Sequence, residues 1–262
     1  TLRTEQSHRE QSPYRFIRPW AVEQGNARET LQNNGFGTPV GYTGMTWSGF
    51  RPSDDACEYH YLIPANCFAA VILGNLAEIA REVWQEEPFA LEALRVRREI
   101  VQGIEAYGIV HHPRFGRIYA YEADGLGHFR LMDDANVPSL LSLPYLGYLP
   151  PEDPVYQNTR AWLLSEENPC YFQGKAACGV GSEHTAAGYV WPIALAMQGL
   201  TANCFEEKER IIRFLLDTTA GCGRMHESFH ADDPSQFTRP WFAWADSLCA
   251  ELIYETYLKE MI

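Results

Sequence analysis

LIPANCFAAVILGNLAEIAREV, Leu62 to Val83, is the stretch on which the reading of the fold turns. Leu62, Ala65, Ala69, Ile72, Leu76, Ile79 and Val83 recur at alternating spacings of three and four. That is the stripe of one face of an α-helix, and a strand with its period of two cannot display it. The spacing predicts one long helix bent at Pro64, whose ring removes an amide donor. Leu91, Leu94, Val101 and Ile104 give a second apolar face with Pro88 near its start, where a proline forfeits no helical hydrogen bond.

Outward from this helix pair the pattern is uneven. Residues 1–45 are polar and rich in glycine and asparagine, and NNGFGTPVGYTG, Asn33 to Gly44, reads as a loop, so ordered structure is expected to begin after it. GRIYAYEADG, Gly116 to Gly125, alternates around Ile118 and Ala120 and predicts a short strand or hairpin arm. Helical patterns return near 138–146, 154–165, 185–200, 205–219 and 238–259. The last of these carries Trp241, Trp244, Ala245, Leu248, Leu252 and Ile253 on one face. The expectation is therefore an all-α chain of about seven paired helices with little strand. Loops longer than about 12 residues are usually functional. The site is expected in those before Pro138, between about 166 and 184, and from Gly221 to Phe237.

Composition narrows the partner. A chain of 262 residues with 46% hydrophobic content can bury a sizeable core. A formal net charge of -13 offers no basic patch, which argues against nucleic acid and anionic membrane. No run approaches the roughly 18 consecutive apolar residues of a membrane span, so no membrane-spanning segment is expected. Seven cysteines without a CxxC pair argue against a zinc ribbon or a disulfide framework, leaving buried thiols as the expectation for most of them. Seven Trp and fourteen Tyr, many in polar Gly/Pro-rich stretches, suit a carbohydrate site, where ring faces stack on sugar C–H faces.

Candidate chemistry rests on carboxylates. Three Asp-Asp pairs occur, Asp54-Asp55, Asp133-Asp134 and Asp232-Asp233, each just before a predicted helix. Capping the free N–H groups of a helix start is the commoner use of such residues. Glu227 is harder to explain that way, because GCGRMHESFHADDP places it in a loop. Flanked by Met225, His226 and Phe229 it would be partly desolvated, the setting in which a carboxyl is tuned for acid–base work, with a salt-bridged loop glutamate as the alternative. The same stretch spells H-E-x-x-H, His226 to His230. In a zinc hydrolase that spacing places two imidazoles on one helix face, whereas Gly221, Gly223 and Pro234 leave little room for such a helix here.

TGMTWSGFRPSDDACEYHYLIPAN, LMDDANVPSLLSLPYLGY, ENPCYFQGKAACGVGSEHT, GYVWPIALAMQGLT and GCGRMHESFHADDPSQFTRPWFAWADSLCAEL together resemble glycoside hydrolase family 125, in order, from about Ser12 to Leu258. The resemblance implies an (α/α)6 toroid, of which this chain looks like the C-terminal portion with a small β-hairpin insertion. Residues 1–45 would be a polar segment of the same domain as 46–262. It also implies an inverting exo-mannosidase that removes nonreducing terminal α-1,6-linked mannose, with no metal or other cofactor. Its partner would be a mannose-containing oligosaccharide or N-glycan.

Carried over by motif, Asp54 is the general acid, with Asp55 as the alternative, and Glu227 is the general base. Inversion needs the two carboxyls roughly 6.5–9.5 Å apart across the sugar, so residues this distant in sequence meet only if the chain closes around a cleft. Arg51 would hold a neighbouring carboxylate, a sugar hydroxyl or a structural ion pair. His184 and His226 are candidates for bonding mannose hydroxyls, and Trp47, Trp191, Trp241 and Trp244 for stacking, with at least one of the last three expected in the core. The competing readings are a zinc hydrolase through His226 and His230, and a noncatalytic carbohydrate-binding or scaffold fragment.

Overall fold

A computed structural model describes residues 14–259; the first thirteen residues of the expected polar segment lie outside it. The described residues fall into two compact units. One holds the chain through Leu131 together with Leu146–Tyr148, the other Met132–Tyr145 and the chain from Leu149 onward.

In the first unit ordered structure begins earlier than expected, with a short helix α1 (Pro19–Glu23) ahead of the glycine-rich loop. A two-residue strand β1 (Tyr61–Leu62) leads into α2 (Ile63–Ile79), which runs on through a single wider π turn, Ala80–Trp84. Pro64 lies in the first turn of α2 and starts the helix instead of bending it. Gln85, at φ 57, breaks the helix, and α3 (Glu87–Gly103) follows with Pro88 in its first turn. The two helices meet through Ala77, Ala80, Ala90 and Ala93, flanked by Leu73 and Leu94, small side chains that let the axes approach closely.

This contact corrects the sequence expectation about faces. The buried residues of α2 are Ile63, Pro64, Asn66, Cys67, Ala70 and Ala77, while Ile72, Ile79 and Val83 of the predicted core stripe are exposed. On α3 the buried positions are Ala90, Ala93, Ile100 and Gly103, and Leu91 is exposed. Because α2 is apolar nearly all round, its spacing identifies a helix without selecting the side that packs. A second correction concerns membrane spans. Ile63–Trp84, 22 residues, is long and apolar enough by length and composition to cross a membrane, although Asn66, Asn75 and Glu78 interrupt any continuous apolar run.

After α3 come the expected hairpin, β2 (Ile109–His112) against β3 (Gly116–Tyr119), and two further strands, β4 (Glu122–Ala123) and β5 (Phe129–Arg130). The last two join β1 in an antiparallel sheet of order β1-β4-β5, with Glu122 opposite Leu62 on one side and Arg130 on the other.

In the second unit the helix expected at 138–146 is absent and the segment is a run of turns. The Oγ of Ser142 receives the Ser139 amide and donates to the Ser139 carbonyl, side-chain bonds that compete with a helical ladder. Helix α4 (Pro154–Leu163) is capped by the Asp153 carboxylate, which accepts the amides of Val155 and Tyr156, both at 2.9 Å. The hairpin β6 (Tyr171–Gln173) and β7 (Cys178–Val180) occupies the supposed 166–184 loop.

The helix expected from 185 begins only at Pro192. Strand β8 (Tyr189–Val190) precedes α5 (Pro192–Leu200), since the residue before a proline is pushed out of helical geometry. Helix α6 (Phe205–Asp217) follows, then β9 (Ser228–His230) and β10 (Phe237–Thr238), which form a sheet of order β10-β9-β8. Finally α7 (Ala243–Ile253) and its π turn Tyr254–Leu258 begin later than the predicted 238. Helix α5 is buried from Pro192 to Gly199 and packs against both α6 and α7. Helices carry most of the regular structure, and the described residues also hold ten short strands in four small antiparallel sheets.

Candidate active site

Each unit presents one of the two carboxylates singled out in the sequence, and the two settings are built differently. In the first unit, residues Ser48 to His60 form a closed loop. Ser48 N donates to His60 O at 2.8 Å, Cys57 N to Gly49 O at 3.0 Å, and Phe50 and Ala56 pair in an isolated antiparallel bridge. At its tip Arg51 N donates to Asp55 O at 2.8 Å and Asp54 N to Arg51 O at 3.0 Å. This turn forces Asp54 to φ 69, in the left-handed region where aspartate is one of the few tolerated side chains. Asp54 is exposed and Asp55 is buried, so the adjacent carboxylates lie in opposite environments, and neither caps a helix.

The loop is fixed from behind. The Arg51 guanidinium is buried against Glu122, Nε to Oε1 2.6 Å, and lies 5.6 Å from the Tyr121 ring centroid. Glu122 also receives the amides of Glu58 and Tyr59 on its other oxygen, each at 3.0 Å. Trp47 is buried and stacks on His60, ring centroids 4.6 Å apart. His60 in turn receives the Thr38 amide on Nε2 at 2.9 Å and donates through Nδ1 to Ser48 O at 2.8 Å, a pairing that fixes its neutral tautomer. A Cβ at Gly37 would sit 2.3 Å from His60 Nε2, so the glycine-rich stretch is a close-packed backing of the loop.

In the second unit Glu227 is buried immediately before β9, its amide donating to Thr238 O at 3.3 Å. Its Oε1 lies 3.2 Å from Nε of Arg239, which is largely exposed, adopts φ 45 and lies 5.9 Å from the Phe242 ring centroid. His226 is buried and stacks face to face on Phe237, centroids 3.9 Å apart and planes 3° from parallel, with neither ring nitrogen hydrogen-bonded among the described residues. Trp191 is the core member of the three tryptophans expected on helices, although it and Trp241 lie just before α5 and α7. It is buried, donates through Nε1 to Thr185 Oγ1 at 2.9 Å, and meets Phe242 edge-on at 6.0 Å. His184 is exposed beside Trp191 at 6.4 Å. Glu227, Arg239, Phe242, Trp191 and His184 are thus linked in one run of contacts. Trp241 and Trp244 are both exposed, Trp241 under the Arg224 guanidinium at 5.0 Å and Trp244 against Phe242 at 5.2 Å.

The zinc reading fails on geometry. His226-Glu227-x-x-His230 runs into strand β9, so its ends do not share a helix face. His230 Nδ1 receives the Asp232 amide at 3.3 Å, and no cluster of three or more metal-ligating side chains occurs among the described residues. The remaining acidic pairs are structural: Asp133 accepts the amides of Leu140 and Leu141 at 2.8 and 3.0 Å. Asp232 receives the Lys175 amide at 2.9 Å, and Asp233 accepts Ser235 N at 3.1 Å.

Sequence reasoning missed Glu122, Arg239, Phe237 and Phe242. A signal for Glu122 was present: it follows Ile118 and Ala120 on the same side of an alternating stretch, and a carboxylate on an apolar side requires a buried partner. Arg239 carries no comparable local signature.

Comparison with known proteins completes the picture. Residues 1–254 match the family described as metal-independent α-mannosidase, GH125. The chain is 46% identical over 244 residues to the Meiotically up-regulated gene 157 protein of Schizosaccharomyces pombe, a match covering 92% of this chain and 47% of that protein. A Streptococcus pneumoniae structure, described as a metal-independent α-mannosidase in a non-productive complex with α-1,6-mannobiose, matches with a TM-score of 0.92 at 46% identity. That match covers 97% of this chain and 59% of the other. The chain therefore spans about half the length of the curated relative and three fifths of the solved one.

Proposed function

The chain belongs to glycoside hydrolase family 125, the metal-independent α-mannosidases, and on that premise we propose that it takes part in exo-hydrolysis of nonreducing terminal α-1,6-linked mannose with inversion. The observation that carries this is the 46% identity and TM-score of 0.92 to a family structure holding α-1,6-mannobiose. We propose further that the chain is the C-terminal portion of an (α/α)6 toroid and that residues 1–45 and 46–262 belong to one domain. The packing of Gly37 and Thr38 on His60 ties the glycine-rich stretch to the first unit.

In this reading Asp54 is the general acid. Its exposure at the tip of a fixed turn supports it over Asp55, which is buried. Asp54 gives its proton to the glycosidic oxygen as the C1–O bond breaks with its electron pair on that oxygen. Glu227 takes a proton from the water whose oxygen attacks C1 from the opposite face, and β-mannose and the free 6-hydroxyl leave. The Arg239 contact, Nε to Oε1 3.2 Å, supports Glu227 as an oriented base. No cation enters any step, as the family description implies.

The test is a proton NMR time course of α-1,6-mannobiose with the protein in chelator. Initial β-mannose is expected. Initial α-mannose would overturn inversion, and mannobiose bound without turnover would favour a carbohydrate-binding role for this chain.

A further inference from the structure

We propose that Glu122 is a positioning residue for Asp54, a role that rests on the mannosidase reading above and extends it to a residue 68 positions downstream. Glu122 is fully buried, and its carboxylate holds both arms of the Ser48–His60 loop. Oε1 takes Arg51 Nε at 2.6 Å on the incoming arm, and Oε2 takes the Glu58 and Tyr59 amides at 3.0 Å on the outgoing arm. Between these anchors lies the turn that sets Asp54 at φ 69. A side chain in that region of backbone space persists where its surroundings over-determine it, and three bonds to one carboxylate do so.

The economy of the arrangement points the same way. A buried ion pair is a weak source of stability, because desolvation offsets the attraction, whereas it fixes geometry strongly. Both side chains of this pair are essentially inaccessible. Register adds to the constraint: Glu122 lies in the central strand of β1-β4-β5, opposite Leu62 and Arg130, and Arg130 pairs with Glu58 on the same loop. The sheet therefore carries the anchor, the anchor carries the turn, and the turn aims the acid.

The discriminating readout is leaving-group dependence. α-1,6-Mannobiose needs a proton on its departing oxygen, whereas the fluoride of α-mannosyl fluoride departs without one. Glu122→Gln is expected to lower kcat on mannobiose by on the order of 10²-fold, as a displacement of about 1 Å does. It should lower kcat on the fluoride by less than about tenfold, with KM little changed, the same split expected of Asp54→Asn. Equal losses on both substrates would make Glu122 merely structural and overturn the proposal, as would an unchanged kcat on mannobiose.

Should Glu122→Gln fail to melt cooperatively, Arg51→Lys keeps the cation, loses the guanidinium geometry and must show the same split; equal losses there overturn the proposal too. A wild-type chain that turns over neither substrate brings down the mannosidase reading and the positioning role with it. That result is distinct from a wild type active on both and a variant impaired equally on both.

Discussion

Asp54-Asp55 and Asp133-Asp134 are spelled alike, and the backbone around each pair gives its carboxylates a different task. At 133–134 both residues are buried and their oxygens are taken up by local amides. Asp133 accepts Leu140 N and Leu141 N, and Asp134 accepts the amide and side-chain nitrogen of Asn136 at 3.2 Å. Around Asp54 the turn is held by other groups: backbone bonds across Arg51–Asp55, and the Arg51–Glu122 pair beneath them. Nothing among the described residues hydrogen-bonds the Asp54 carboxylate. A carboxylate that shapes its own loop is spent on that task. One whose loop is shaped for it remains available to a substrate.

The comparison breaks most directly at Asp54. Asn is isosteric and tolerates the left-handed backbone, so Asp54→Asn should lower kcat on α-1,6-mannobiose by roughly 10²–10⁴-fold while leaving stability within about 0.5 kcal/mol. Parallel turnover assays and urea titrations check both halves. A stability loss above 2 kcal/mol would show that Asp54 shapes its loop after all.

The opposite is expected at Asp133. Asp133→Ala leaves two buried amides without acceptors, at about 1–3 kcal/mol each, so urea unfolding should show a loss of roughly 2–4 kcal/mol. A loss below 1 kcal/mol would return the two pairs to equivalence.

Protonation sharpens the contrast further. Burial pushes the Asp133 carboxyl up to about 8 from an ordinary 3.8, against the opposing pull of the Leu140 and Leu141 amides. A folded value above the unfolded one means that the native state holds an extra proton between about pH 4 and pH 8. This contribution to stability is complete below pH 4 and is lost as pH rises through 8, with a slope of at most ~1.4 kcal/mol per pH unit. Asp133→Asn, which cannot ionise, should flatten that part of the stability profile, read as urea midpoints across the range. An unchanged slope would place the titration elsewhere.

How far these differences were legible in the sequence depends on the range over which the signal acts. The helix at Leu62–Val83 was legible because apolar spacing is a local property. Its packing face was not, since Ile72 and Ala77 are both apolar and only Ala90 and Ala93 of the facing helix α3 select between them. H-E-x-x-H was legible as a poor zinc motif because a spacing of four carries meaning only at a helical period, and the flanking glycines and proline deny the helix that β9 replaces. Strands of two or three residues are too short to alternate, so β8, β9 and β10 were read as helix or loop. The proposed roles of Asp54 and Glu227 rest on whole-motif resemblance. Glu122 was missed because its partner Arg51 is 71 residues away, a pairing that only the folded sheet creates.

The smallest expected effect tests the premise beneath the comparison, that the turn at Asp54 is held in a left-handed state by its surroundings. At φ 69 a Cβ is penalised, and glycine escapes the penalty. Asp54→Gly should therefore be more stable than Asp54→Ala by about 1 kcal/mol, the left-handed cost for an L-residue less the extra chain entropy that glycine loses on folding. Both variants lack the carboxyl, so both should be equally inactive on mannobiose, and paired urea titrations isolate the backbone term from the chemistry. Equal stabilities would mean that the turn relaxes once the aspartate is gone, and that Arg51 and Glu122 do not hold it. A glycine advantage means that the buried pair keeps the strained backbone in place whichever residue occupies it, which is the condition for an acid whose carboxylate is left to the substrate.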